Sequence, residues 1–359
     1  MPAYKDKNGK WIVKYSYKGL DGKFKGVTKR GFETKRDALN WETDAKKKIH
    51  GMLDISLESF ASQYLKFISN RIKFSTYVTK EAIIKAHIIP YLGRFKVNEI
   101  TAREIVAWQD EMLKCINKKT NKKFSKAYLR LLQNTLSSIF AYATRYYNLP
   151  INPVHVSGSI GGGKDREMMF WTQEQYKKFS EVMMDKPIFY YAFNCLYYLG
   201  IREGELLALE ESDIDFEKKE LSITKTYLRI NGKDYINTPK TKKSIRKVSI
   251  PDFLCEELKE YLNLEYTKNE NNNRIFLIGK TALTKALIKG ADKAGLPRIR
   301  VHDLRHSHVS LLIELGYSAV AIADRVGHES IDITYRYAHL FPNKQKSIAN
   351  DLNKIAEDK

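Results

Sequence analysis

The sequence predicts a multidomain protein. It has a small β-sheet plus helix N-terminal domain over residues 1–50, an all-α bundle over 51–154, and a mixed α/β, mostly α, domain over 167–359. Three observations predict this division. Apolar and polar residues alternate at the start of the chain, apolar residues then recur at helical spacing for about a hundred positions, and helical stripes resume after 167 with one interruption by alternation between 213 and 250. A length of 359 residues fits two or three domains. The net charge of +20, from 62 Lys and Arg against 42 Asp and Glu, favours a polyanionic partner: nucleic acid first, an anionic membrane surface second. No apolar run approaches the roughly 20 residues that span a bilayer, and MPAYKDKNGKW has no signal-peptide core. A soluble, intracellular, cytoplasmic protein is therefore expected. Cys115, Cys195 and Cys255 are odd in number and far apart, which fits reduced packing residues rather than a disulfide frame.

Residues 1–50 hold fourteen Lys or Arg against six Asp or Glu, so the basic excess is concentrated there. Trp11, Val13, Tyr15 and Tyr17, then Phe24 and Val27, alternate around the turn residues Gly19 and Asp21-Gly22, predicting two or three strands. Thr34 caps a helix carrying Ala38, Leu39, Trp41 and Ala45. Such a module buries little but could lay a strand surface into a DNA groove. In 51–154, Leu57, Phe60, Tyr64, Phe67 and Ile68 form one stripe and Ile84, Ile88 and Leu92 a second. Ile105, Trp108 and Met112 follow a Thr101/Glu104 capping box, and Leu129 to Ala143 make a long fourth stripe. Four helices make a bundle, and the loop KKTNKKFSK at 118–126 could follow a phosphate backbone or be solvated only. Asn152-Pro153 ends the bundle, and residues 155–166 read as a flexible linker. Gly158 to Lys164 fits G-x-x-x-x-G-K, but Asp165 stands where Ser or Thr would bind magnesium and no apolar strand precedes it, so no nucleotide site is assigned.

Beyond the linker, Thr172 with Gln175 caps a helix. The segment Ile188 to Leu199 is apolar nearly all round until Gly200 breaks it, and Arg202 follows, where a buried helix end could fix it. Residues 213–250 predict a three-stranded sheet with INGKD and NTPKTKKS as loops. Helices are expected near 252–266 and 281–294 with Ile275 to Leu277 buried between them, and Pro342 starts a last helix with a narrow stripe Ile348, Leu352, Ile355.

Residues 300–340 carry the chemistry. His302 and Arg305 lie three apart at the head of a helix whose apolar positions are Val309, Leu312 and Ile313, so both project from one face. Gly316 caps it, a short helix Ser318 to Val326 ends at Gly327, and His328 sits in the turn. Ser330 then caps a helix carrying Tyr335 and Tyr337. Two imidazoles and a guanidinium together suit an anion, above all a phosphate. A tyrosine beside them is a nucleophile, though a phenol of pKa about 10 is ionised to only about one part per thousand at pH 7, a handicap of roughly 4 kcal/mol that cationic neighbours and a base must offset. His306 and His308 suggest a metal cluster with His302, but no carboxylate or thiol box accompanies them, and His306 reads as a packing residue. Tyr335 competes with Tyr337; on one helix the two point about 160° apart, so only one faces the phosphate.

At these residues the chain resembles the tyrosine recombinase (phage integrase) family, here the integrases of phages and conjugative transposons. HDLRH matches the family's H-x-x-R box, GH at 327–328 its second histidine, TYRYAH its T-x-x-Y-x-H nucleophile box with Tyr337 nine positions after His328, and LGIREGELLAL at 199–209 its first-arginine motif. The resemblance implies Arg202, Lys240, His302, Arg305, His328 and Tyr337 as the catalytic set, with Tyr337 the nucleophile. Lys240 looks like the family's β-hairpin lysine, with Lys225, Lys242 and Lys243 as competitors. It implies an arm-type DNA-binding domain at 1–50, a core-binding domain at 51–154 forming one half of a clamp, and a catalytic domain at 167–359. It also implies a 3′-phosphotyrosine intermediate needing no ATP, metal or other cofactor. The partners implied are double-stranded DNA with core and arm sites, further copies in a homotetramer joined through the C-terminal tail, an excisionase and a host DNA-bending protein. A non-catalytic DNA-binding regulator or architectural protein, a type IB topoisomerase and a Xer-like resolvase are the alternatives; the basic first 50 residues favour an integrase.

Overall fold

A computed structural model describes residues 3–7, 9–18, 24–50, 53–117, 120–162, 168–239, 242–264, 273–335 and 337. The chain divides into two compact units, Met1–Asp165 and Arg166–Lys359.

In the first unit, β1 (Tyr4–Lys5), β2 (Trp11–Lys18) and β3 (Phe24–Phe32) form an antiparallel sheet in that order, with Trp11 opposite Phe32 and Tyr15 opposite Val27. The turn expected at Gly19 and Asp21-Gly22 lies outside the described residues. Helix α1 (Lys35–His50) starts as expected at Thr34, whose Oγ1 accepts from the Asp37 N–H at 3.1 Å. Ala38 and Val13 form its small core with Trp11, Tyr15, Phe32 and Trp41 packed around them, so even the exposed-looking aromatics serve to bury a thin module.

The four expected stripes become four helical runs: α2 (Leu57–Ile68), α3 (Phe74–Ile83) continuing through a π turn Ile84–Ile88 into α4 (Ile89–Leu92), α5 (Ala102–Lys114) and, later in the chain, α6 (Lys126–Tyr146). Their stripes meet in one core built around Leu57, Phe60, Trp108, Met112, Leu136 and Phe140, each nearly inaccessible. The capping box holds: Glu104 accepts the Thr101 N–H at 2.8 Å while Thr101 Oγ1 accepts from Arg103 N–H at 3.2 Å. The basic segment before α6 is not a plain loop. Ile116–Asn117 (β4) pairs with Lys122–Lys123 (β5), and Asn121 at φ +50° lets the chain double back; Lys118 and Lys119 lie outside the described residues.

Asn152-Pro153 opens a further turn of helix instead of ending the bundle. Asn152 Oδ1 caps α7 (Pro153–Val156) through the Val154 N–H at 3.0 Å, and proline at the first helical position loses no hydrogen bond. The glycine-rich stretch after it is tied down as far as it is described. Gln133 donates to Gly158 O at 2.6 Å and accepts from Ile160 N–H at 2.6 Å, and Gly162 N–H reaches Lys126 O at 3.0 Å. Composition alone reads such a stretch as mobile because it misses two buried glutamines, Gln109 and Gln133, whose amides need its backbone. Gly161, at φ +74°, is required there, since a Cβ would collide with Lys126 O.

The second unit begins with α8 (Gln173–Met183), capped by Thr172 and Gln175 as expected, and α9 (Pro187–Leu199), which is buried from Ala192 to its end except at the half-buried Tyr198. After α10 (Glu203–Leu206), the region 213–250 yields two sheets where one was expected. Strands β6 (Ile214–Asp215), β7 (Glu220–Ile223) and, beyond a hairpin, β10 (Arg246–Ser249) form an antiparallel sheet in the order β10-β7-β6. The hairpin itself is β8 (Thr226–Ile230) with β9 (Lys233–Asn237), closed by Asn231 and Gly232, both at positive φ. Its strands bury little beyond Tyr227, so β8 and β9 pair with each other alone. Helices α11 (Asp252–Leu262) and α12 (Lys280–Lys293) bracket the buried Ile275 and Phe276. Helices α13 (Asp303–Glu314), α14 (Ala319–Val326) and α15 (Asp332–Tyr335) then deliver the residues of interest. The helix expected from Pro342 with Ile348, Leu352 and Ile355 lies outside the described residues. Among the described residues no helix is long and apolar enough to cross a membrane.

Candidate active site

Helix α9 terminates at Gly200, which has φ +62° and where a Cβ would strike the His308 ring, so glycine alone fits. Two residues later Arg202 leads into α10. Its Nη1 donates to Glu205 Oε1 at 2.7 Å and its Nη2 to Gly327 O at 2.9 Å. Arg305, on α13 and 3 % exposed, donates from Nη1 to Gly200 O at 2.7 Å and from Nη2 to Val326 O at 2.5 Å. Arg246 on β10 donates from Nε to Arg325 O at 2.9 Å and from Nη2 to Glu205 Oε2 at 3.0 Å. Three guanidiniums from three distant elements thus grip the consecutive carbonyls of 325, 326 and 327. These carbonyls end α14, where unpaired C=O groups form the negative pole of the helix.

The cations outnumber their partners. Burial works against ionisation of Glu205, but Arg246 and then Arg202 outweigh it and hold its carboxyl below the usual range. Burial, then repulsion from Arg202 and Arg246, pulls the Arg305 guanidinium down to about 9. Three guanidiniums share one buried carboxylate among these contacts, so the cluster carries an excess of positive charge that a phosphate would offset.

His328 follows the Gly327 cap (φ +68°) directly. Its Nδ1 meets Thr334 Oγ1 at 2.8 Å, an arrangement that fixes the ring. Burial first, then Arg305 and Arg202, hold its imidazole down to about 3. His302 stands exposed just before α13, yet its ring is crowded by protein on one side. That desolvation, followed by His306 and Arg305, lowers it to about 4. Both rings are therefore neutral at pH 7 in the free protein, able to donate one N–H each, and a bound phosphate would raise both.

Tyr337 is 2 % exposed, its ring among Val309, Ile313, Ile322 and Val326, and its hydroxyl reaches His306 Nδ1 in a short hydrogen bond. The hydroxyl thereby points at the histidine cluster, where His302 packs edge-on against His306 at 5.1 Å between centroids and opens to solvent. The expected helix through 335 and 337 is cut short. Helix α15 is a single turn, and Tyr337 lies past it in a turn closed by its N–H on Thr334 O at 3.0 Å, since the apolar pocket draws its ring inward. Tyr335 is 54 % exposed, so the two tyrosines do face opposite ways. Ser330 Oγ accepts from Asp332 N–H at 3.2 Å, in the turn that leads into α15.

The structure brings Arg202, His302, Arg305, His328 and Tyr337 into one neighbourhood. Lys240, expected as the sixth member, lies outside the described residues, as do the side chain of its competitor Lys242 and Tyr337's neighbour Arg336. Lys225 is held between Glu210 and Asp213 at 2.6 and 3.0 Å. Lys243 is exposed, and its backbone O is in close approach to Gly327. Sequence reasoning missed Arg246, Thr334 and the contact of His306 with Tyr337. Arg246 sits in a basic run that reads as solvent-facing, and only strand β10 turns it inward. The sequence reads His306 as a packing residue because nothing local places Tyr337 against it; the T-x-x-Y spacing holds the one hint, for Thr334. His308 is turned away from the cluster: its Nε2 accepts from Arg325 Nε at 3.2 Å, and burial lowers it to about 3.

Comparisons with known proteins identify the family and the fold. Family models match over three stretches: the Arm DNA-binding domain at 2–49, the phage integrase N-terminal SAM-like domain at 56–113, and the Phage integrase family at 170–344. The ICEBs1 integrase of Bacillus subtilis strain 168 is 30% identical over 343 residues, covering 90% of each chain. Among solved structures, the Tn1549 transposon integrase in complex with a circular intermediate DNA superposes with TM-score 0.66 at 20% identity over 84% of this chain and 99% of that one. A lambda integrase tetramer bound to a Holliday junction superposes with TM-score 0.59 at 19% identity over 92% and 96%. With the arginine, histidine and tyrosine cluster in place, these matches show that the chain belongs to the phage integrase family of tyrosine recombinases, enzymes that break and rejoin DNA at specific sites.

Proposed function

We propose that this recombinase integrates and excises a mobile element or prophage through attack of Tyr337 on the scissile phosphate. The attack leaves a 3′-phosphotyrosine and a free 5′-hydroxyl that attacks the partner strand, so the phosphodiester energy is conserved. Arg202 and Arg305 hold the non-bridging oxygens as charge builds in the five-coordinate transition state. His328 donates a hydrogen bond to the same phosphate, His302 assists proton transfer at Tyr337, and Lys240 protonates the departing 5′-oxygen. What carries this reading is the placing of the Arg202 and Arg305 forks on adjacent carbonyls, Gly327 O and Val326 O, beside a tyrosine hydroxyl.

The working form is a homotetramer on duplex DNA in the cytoplasm. Residues 1–50 bind arm sites, 51–154 the core site, 155–166 connect, and 167–359 carry the chemistry, with an excisionase and a host DNA-bending protein setting direction. The family's assembly on a Holliday junction, described for lambda integrase, supports the tetramer. A suicide substrate nicked beside the crossover should give a covalent adduct with the intact protein and with Tyr335→Phe, and none with Tyr337→Phe. If the intact protein binds the site but never forms an adduct, it is a non-catalytic DNA-binding regulator and the reading fails.

A further inference from the structure

We propose that His306, backed by Asp303, is the base that takes the proton of Tyr337, in place of the assisting role given above to His302. The inference rests on Tyr337 being the nucleophile. His306 Nδ1 is bonded to the Tyr337 hydroxyl, and the two rings lie 5.6 Å apart between centroids, tilted by 53°. On its other edge, His306 Nε2 faces Asp303 Oδ1 at 3.8 Å, one helical turn back on α13. The Asp303 side chain is 2 % exposed and locked by Arg300, which donates to it from N at 2.7 Å and from Nη2 at 2.7 Å. A fixed carboxylate behind an imidazole, with a hydroxyl in front of it, is the arrangement by which a weak nucleophile is activated. At 3.8 Å the carboxylate acts through its charge rather than through a hydrogen bond, favouring hydrogen on the Nε2 edge that faces it and so leaving Nδ1 to accept from the hydroxyl.

The groups facing His306 are Asp303, Arg300, Arg305, His302, His328 and Tyr337. Burial, helped by the two guanidiniums and opposed by Asp303, keeps the ring below its ordinary range, hence neutral and able to accept at pH 7. The step balances within the established reaction. The phenol O–H breaks and its proton passes to Nδ1, the phenolic oxygen forms the bond to phosphorus, and the P–O5′ bond breaks with the 5′-oxygen protonated by the proposed acid. On rejoining, the 5′-hydroxyl returns its proton to the acid that supplied it as its oxygen bonds phosphorus, the P–O bond to Tyr337 breaks, and His306 returns the proton to the departing phenolic oxygen. His302, exposed and edge-on to His306, is left free to hydrogen-bond the incoming phosphate.

The test is single-turnover cleavage by the full chain on a nicked duplex, with His306→Asn and His302→Asn compared against the intact protein. An asparagine at 306 keeps an amide where Nδ1 stood but accepts no proton. His306→Asn should bind the duplex normally and cleave about 100-fold or more slower. A 5′-bridging phosphorothiolate, whose leaving group needs no acid, should not relieve that defect. Fluorinated tyrosines of falling phenol pKa at 337 should change the intact enzyme and His302→Asn only slightly. In His306→Asn they should restore cleavage steeply, by close to tenfold per unit of phenol pKa. Cleavage by His306→Asn within threefold of the intact protein, or relief by the phosphorothiolate, overturns the proposal. So does a steep response in His302→Asn with a shallow one in His306→Asn. Should His306→Asn not fold, the fluorotyrosine series in the intact chain decides: a shallow response supports a resident base and a steep one overturns it. Absence of any adduct from the intact chain would instead sink the assignment of Tyr337.

Discussion

Replacing Arg246 with Met tests whether the arginine cluster is built around Glu205. The Arg246 side chain is 7 % exposed and Glu205 2 %, with Nη2 on Oε2 at 3.0 Å and Nη1 on Oε1 at 3.3 Å. Removing one partner of a buried pair strands the other, and measured costs for that are about 3–5 kcal/mol. Arg202 remains on Oε1 at 2.7 Å but is 35 % exposed, so it screens the stranded carboxylate only in part and the lower end, about 3 kcal/mol, is expected. The bond from Arg246 Nε to Arg325 O is lost as well, leaving one carbonyl at the end of α14 unmet. Arg246→Met/Glu205→Gln removes the stranded charge and should recover about 1–2 kcal/mol, a coupling typical of residues in contact. The assay is urea unfolding in a background with Trp11, Trp41 and Trp108 changed to Phe, so that the buried Trp171 reports on the second unit alone. A single-variant loss below about 1 kcal/mol, additive with Glu205→Gln, would refute the claim that Glu205 is the buried counter-charge of two arginines.

Other outcomes follow from the same contacts. Gly327→Ala should cost about 1–2 kcal/mol from positive φ alone and more because its Cβ meets Lys243 O at 2.9 Å, a backbone atom; unchanged thermal stability would show that the turn is free to adjust. His308 and His328 are both pushed to about 3, below the ordinary 6.5 of the unfolded chain. Their contribution is therefore complete above pH 6.5 and lost as the pH falls from 6.5 toward 3, by up to about 1.4 kcal/mol per pH unit for each ring. His308→Asn should flatten the acid side of a plot of unfolding free energy against pH, and an unaltered slope would contradict its burial as a neutral group. Gln133→Ala strips two bonds from residues 158–160 and should lower stability by about 1–3 kcal/mol while speeding proteolysis at 157–162; equal cleavage rates would mean that the amide does not hold the segment. Deleting residues 1–50 should reduce the slope of log affinity against log salt on arm-site DNA, and an unchanged slope would show that this module does not contact phosphates.

The sequence by itself determined the elements that local physics controls. The stripe Leu57, Phe60, Tyr64, Ile68 and the boxes Thr101/Glu104 and Thr172/Gln175 each encode a helix and its start, because caps and periodicity act over a few residues. Gly200 and Gly327 marked helix ends for the same reason, and the boxes around Arg202, Arg305 and Tyr337 carried the family. What no local signal contains is partnership across the chain. Helix α13 has no polar face to read: Arg305, Ser307 and His308 are as buried as Leu304 and Val309, since each polar group finds a partner on another element, Gly200 O, the Trp171 N–H and Arg325 respectively. Only packing decided that Arg246 would turn inward to Glu205, that Gly158 and Ile160 would be pinned by Gln133, and that Tyr337 would leave its helix to reach His306. Buried charges and amides must be satisfied by whatever the fold brings near, and that is a property of the tertiary arrangement.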